Sequence, residues 1–132
     1  MRWVIAFAMG LLSTTALAEW KHFKSEGGIT IGYVVGAARL DTSTDLLLVE
    51  YKRLVMPQKS GKMGGMDQFV AGCTPATREL RILLQMRSTV FVNEPDAPRV
   101  IDDTSYNPPK EIPLSAKGIT DLGAKVCEVM AL

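Results

Sequence analysis

The two cysteines constrain this chain more than any other feature. Cys73 closes the run Asp67–Thr74, in which Phe69, Ala71 and Cys73 alternate onto one face, the period-two pattern of a strand. Cys127 lies in a C-terminal segment where Ile119, Leu122, Val126, Cys127 and Met130 recur at helical spacing on one stripe. Both cysteines therefore fall on the apolar side of their elements. A bond between them would staple a terminal helix onto a sheet. With 54 positions separating them, the closed loop is long, and the chain-entropy argument gives about 4 kcal/mol of stabilisation. The alternatives, two free thiols or a shared metal, have less support, since the spacing fits no zinc pattern and His22 is the single histidine.

The other segments read mainly as strands. Ile29–Val35 is rich in β-branched and aromatic residues, and Gly36 is expected to break it. Arg39–Asp41 reads as a further short strand before Asp41–Asp45 (DTSTD), which has turn chemistry. Leu46–Val55 is the strongest strand signal, with Leu47, Val49, Tyr51 and Val55 on one face. Pro57–Gly65 reads as a loop, Arg78–Met86 and Ser88–Val92 as strand. Glu94–Pro113 holds prolines at 95, 98, 108, 109 and 113 and is predicted to be mostly loop, with a short strand at Arg99–Ile101. Ser115 is the expected helix cap. The fold class that follows is α+β: an antiparallel sheet with one C-terminal helix.

Residues 1–18 carry the pattern of a secretory signal. Arg2 supplies the charge, Trp3–Leu12 the apolar run, and Ala16-Leu17-Ala18 the small residues of a cleavage site. The run is too short to span a bilayer. Residues 19–132 would then form one exported domain, periplasmic or secreted, with a disulfide suited to an oxidising compartment. Glu19 follows the expected cut where a lipid anchor requires cysteine, so no anchor is expected. Residues 19–132 contain eight Lys, six Arg, seven Asp and seven Glu. That balance offers no basic excess to hold nucleic acid or anionic lipid.

The search for chemistry returns mostly structural readings. A lone histidine, His22, cannot supply a triad or a multi-histidine metal site. The carboxylates Glu94/Asp96 and Asp102-Asp103 sit in the proline-rich stretch and read as solvated acids rather than a glycosidase pair. Ser60–Gly65 lacks the ending of a phosphate-binding loop and the helix that should follow it. Met56, Met63 and Met66 could offer soft sulfur to Cu(I), but their spacing is irregular. Lys52, Arg53, Lys59 and Lys62 form a basic cluster that could meet an acidic partner, although most such clusters are only solvated turns. No residue set points to a cofactor or to catalysis.

The order of these segments resembles the surface-adhesin protein E family of bacterial exported proteins. The resemblance rests on Trp20 after the signal, Tyr33-Val34 before an Asp-led turn, and Val49-Glu50-Tyr51-Lys52 leading to Met56-Pro57-Gln58. It continues through Phe69-Val70-Ala71-Gly72-Cys73, Arg78-Glu79-Leu80-Arg81, Pro113-Leu114-Ser115 and Lys125-Val126-Cys127. It implies a curved antiparallel sheet with the helix tied to the concave face by Cys73–Cys127. It further implies a binding module for host matrix or plasma proteins, with homodimerisation plausible. The missing anchor cysteine sets this chain apart from the founding lipoprotein of that family. A different expectation is a small hydrolase or a periplasmic inhibitor or accessory factor of an envelope enzyme, presenting Pro57–Gly65 or Pro95–Pro113 as a rigid loop. A structural envelope component is a third.

Overall fold

The structure, a computed structural model, describes residues 20–130. The expected signal segment, residues 1–18, lies outside the described residues. Six strands run in sequence order across one antiparallel sheet: β1 (Lys21–Glu26), β2 (Ile29–Asp41), β3 (Leu46–Pro57), β4 (Met63–Cys73), β5 (Leu80–Val92) and β6 (Arg99–Glu111). One helix, α1 (Lys117–Val129), follows. The α+β class read from the sequence is the observed one.

Burial follows the alternation of the strands. Tyr33, Leu47, Val49, Tyr51, Phe69, Ala71, Cys73 and Leu83 are buried on one face, where α1 sets Leu122, Val126 and Cys127 against them. Ile119 and Met130 pack at the margin of this core, so the helical stripe read from the sequence is the buried one. Cys73 and Cys127 form the expected disulfide, with both residues almost fully buried. Gly123 faces the sheet at close range. A Cβ there would lie 3.2 Å from the Tyr51 hydroxyl and 3.3 Å from the Leu80 side chain, so a larger residue would press on β3 and β5.

Four expectations need correction. Glu94–Pro113 is not mostly loop: thirteen of its residues form β6. The reason is that β6 is an edge strand and that its prolines avoid the ladder. Gln85 pairs with Lys110 and Arg87 with Ser105, so Tyr106–Pro109 bulge out opposite a single residue of β5. Pro108 and Pro109 thus sit where no N–H is needed. Gly36 does not end its strand, because β2 continues through a bulge between Val35 and Ala38 and includes Arg39–Asp41. The loop after β3 is shorter than Pro57–Gly65, since β4 already begins at Met63. Ser115 does not cap the helix: the cap position is Ala116, without a side-chain bond, and the Thr120 hydroxyl instead donates to the Ala116 carbonyl at 3.1 Å.

The polar segment Lys21–Glu26 also joins the sheet as β1. Gly27 and Gly28 make its turn with φ of 60° and 79°, the left-handed conformation a tight hairpin needs.

Candidate functional site

Because α1 covers only one side, the other face of the sheet has no described residue over it. Its composition is unusual for a wet face. Leu46, Leu48, Val70, Ile82 and Leu84 alternate outward from β3, β4 and β5, all half-buried against one another. They converge on Gly72, where a Cβ would collide with the Ile82 side chain and press on Leu46. Contiguous apolar surface of this kind commonly marks an interaction site.

Beside that patch lies a groove of about 320 Å³. Its walls are Val34, Val70 and Met86, and its polar rim is Glu50, Lys52 and Gln68. The groove follows from the ladder irregularities. β2 is bulged after Val35, and β5 is bulged at Met86 opposite the Gln68–Phe69 step. Bulges in one row bend the sheet along that row. Glu50 and Lys52 place an acid and a base on the rim, two residues apart on β3.

A polar network that the sequence did not reveal lies on the opposite, helix-bearing face. Asp67 is buried and accepts from Arg53 Nε and Nη2 at 3.2 and 2.7 Å, and from Gln85 Nε2 at 3.0 Å. The Arg53 guanidinium also stands 5.3 Å from the Phe69 ring centre. Strand alternation alone could have placed Asp67 on the face of Phe69 and Cys73, and a carboxylate there demands a cation. Tyr51 stacks on Phe69 at 5.3 Å, and burial pushes its phenol far above the usual range. Its hydroxyl finds no hydrogen-bond partner among the described residues.

The other residues singled out in the sequence are scattered. The basic cluster divides: Lys52 points to the uncovered face and Arg53 to Asp67, while Lys59 and Lys62 border a cavity of about 550 Å³ beside Gly27 and Gly28. Met56 and Met66 lie on the uncovered face, and Met63 falls on the other side of the ladder. His22 is exposed on β1 and shares a hydrogen bond of 2.9 Å with the Ser25 hydroxyl. Asp103 is held by Arg87 Nε at 2.8 Å and by the Thr89 hydroxyl at 3.2 Å, and these partners keep its carboxyl below the usual range. Glu94 pairs with Arg99 at 3.2 Å. Among the described residues no group of three or more His, Cys, Asp or Glu converges as a metal site, and no helix is long and apolar enough to cross a membrane.

The loop Gln58–Lys62 is firmly held. Asn93 donates from Nδ2 to the Pro57 and Lys59 carbonyls at 3.1 and 3.4 Å. The Asn93 carbonyl accepts from the Gly61 N–H at 2.6 Å, and its own N–H donates to the Lys62 carbonyl at 2.9 Å. The chain matches no protein-family model, no curated protein and no solved structure.

Proposed function

We propose that this chain is an exported, non-enzymatic binding module that engages another protein through the uncovered face of its sheet. The observation that carries the reading is the apolar cluster Leu46, Leu48, Val70, Ile82 and Leu84 on a face that α1 leaves bare. The buried disulfide supports an oxidising compartment, and the resemblance to the surface-adhesin protein E family supports a host matrix or plasma protein as the partner. Periplasmic or secreted release, without a lipid anchor, accords with the signal-like residues 1–18 and Glu19. Homodimerisation through the same face belongs to this reading as a competing use of the surface.

The test compares residues 19–132, disulfide intact, with the variant Leu48→Lys/Val70→Lys as baits for plasma and for bacterial envelope extract. A defined protein retained by the first and lost by the second, at equal thermal stability, is the expected result. Retention indifferent to the two lysines overturns the reading.

A second reading keeps one specific support. The Asn93-pinned loop Gln58–Lys62 is rigid enough to enter an enzyme's cleft at small entropic cost, as an inhibitor or accessory factor of an envelope enzyme requires. Pro95–Pro113 no longer serves that reading, because most of it is β6. Capture of an envelope enzyme that survives the lysine variant but not shortening of Gln58–Lys62 would favour it.

A further inference from the structure

The two edges of the sheet are guarded unequally. An edge strand presents unpaired N–H and C=O groups, and soluble proteins blunt such edges with short strands, charges, bulges or proline. β1 carries these devices: it has six residues, includes Lys21 and Lys24, and slips register between His22 and Lys24. The second half of β6 is protected by the Tyr106–Pro109 bulge and by two prolines without N–H. The first half, Arg99–Ser105, has no proline and a single slip, at Ile101 between the Val100 and Asp102 pairings, which leaves Asp102–Ser105 in unbroken register with Val90 to Arg87. It pairs on one side with Val92 to Arg87 of β5, and no described residue pairs with its other side. Within Asp102–Ser105, alternate residues therefore turn backbone donors and acceptors outward. Val100 is 58 % exposed and Ile101 46 %, and both are of the β-branched type that strengthens strand pairing.

Charge decides what can pair there. Asp103 is occupied by Arg87, and Arg99 by Glu94. Asp102 accepts a hydrogen bond from the Thr104 hydroxyl at 3.1 Å but makes no ion pair among the described residues. Asp96 adds a further acid in the adjoining connection. A second copy pairing about Asp102 would set that carboxylate against its twin, and directly opposed like charges destabilise a ladder. A segment carrying Lys or Arg at that position gains instead. We infer that Arg99–Ser105 is a strand-addition site for an extended segment of another protein, apolar beside Val100 and Ile101 and basic beside Asp102. The site is distinct from the uncovered face, so either can fail without the other.

The probe is the blocked peptide Lys-Val-Lys-Val-Lys-Val-Lys, titrated into residues 19–132 with the disulfide intact. Its controls are the glutamate counterpart and a copy of the basic peptide N-methylated at every internal amide. The basic peptide should bind with a Kd on the order of 100 µM, at least about tenfold tighter than either control. Hydrogen exchange should slow at Arg99–Ser105 and not on β2 or β3. Asp102→Lys should shift the preference towards the glutamate peptide, and Leu48→Lys should leave binding unchanged. The proposal is overturned by equal binding of the N-methylated peptide, by protection elsewhere in the sheet, by absence of binding, or by self-association of the chain that protects the same amides.

Discussion

Breaking the Cys73–Cys127 bond should cost this domain a large share of its stability, and the helix should be released first. The bond spans 54 positions, which corresponds to about 4 kcal/mol in the unfolded-state entropy model. Both residues are almost fully buried, so Cys73→Ala/Cys127→Ala also leaves unfilled volume, and the total should reach about 4 to 6 kcal/mol. For a domain of this length that is a fall in Tm of about 15 to 20 °C. The helix has little to hold it otherwise. It includes Gly118 and Gly123, each about 1 kcal/mol worse than alanine, and it has no side-chain cap and no acid in its first turn. A helix of this length is marginal alone, so its persistence depends on docking through Leu122, Val126 and the bond at Cys127. Urea titration followed by circular dichroism gives the stability difference between oxidised wild type and the double variant. Hydrogen exchange on the double variant should show α1 amides exchanging well ahead of β3 and β4. Midpoints within about 1 kcal/mol of each other, or α1 and the sheet exchanging together, would refute the reasoning.

Three further outcomes follow from particular contacts. Gly64→Ala should destabilise by about 2 to 3 kcal/mol in denaturant titration, because its Cβ would lie 2.5 Å from the Val55 carbonyl oxygen and 2.7 Å from the Phe91 ring; an unchanged midpoint would show that the strand yields freely. Asp67→Ala should cost about 2 kcal/mol by leaving Arg53 half-buried without its carboxylate, and Arg53→Met/Asp67→Leu should recover part of that loss. Asp103 has a lowered carboxyl pKa, with the Arg87 hydrogen bond as the first cause, so its stabilising contribution is present above its ordinary value of 3.8 and is lost as pH falls through the lowered one. The stability difference between wild type and Asp103→Asn should therefore be flat above about pH 4 and shrink in acid; a difference that persists into strong acid would rule out that linkage.

The core was legible in the sequence because it rests on two regular periods. Phe69, Ala71 and Cys73 at period two, and Leu122, Val126 and Cys127 at helical spacing, each identify a buried face without knowledge of the partner element. What the sequence hid depends on neighbours. Pro108 and Pro109 argue against a central strand but not against an edge that bulges away from its partner, and nothing local says which strand is the edge. The same holds for Arg53. Next to Lys52, Lys59 and Lys62 it reads as part of a basic patch, yet alternation turns it to the side opposite Lys52, where register brings Asp67 beside it. The groove was equally hidden, since it arises from bulges in β2 and β5 that only the ladder reveals.

The unequal faces of the sheet follow from simple dimensions. Thirteen helical residues span about 20 Å, whereas six strands at about 4.8 Å spacing make a sheet of similar or greater width and two faces to cover. A single helix can therefore shield one face at most, and it does so over β3, β4 and β5. An antiparallel sheet with one wet face needs only polar or β-branched residues on that face, with threonine and lysine sufficient for the ladder. Leu46, Leu48, Ile82 and Leu84 exceed that requirement. They pack on one another across Gly72, so part of their apolar area stabilises the monomer, but each remains partly open to solvent. Leu48→Thr separates the two roles. If the cluster serves the isolated fold, the substitution should cost as much as a core truncation, about 2 kcal/mol or more. If the cluster is kept for a partner, stability should change by less than about 1 kcal/mol while partner capture is lost.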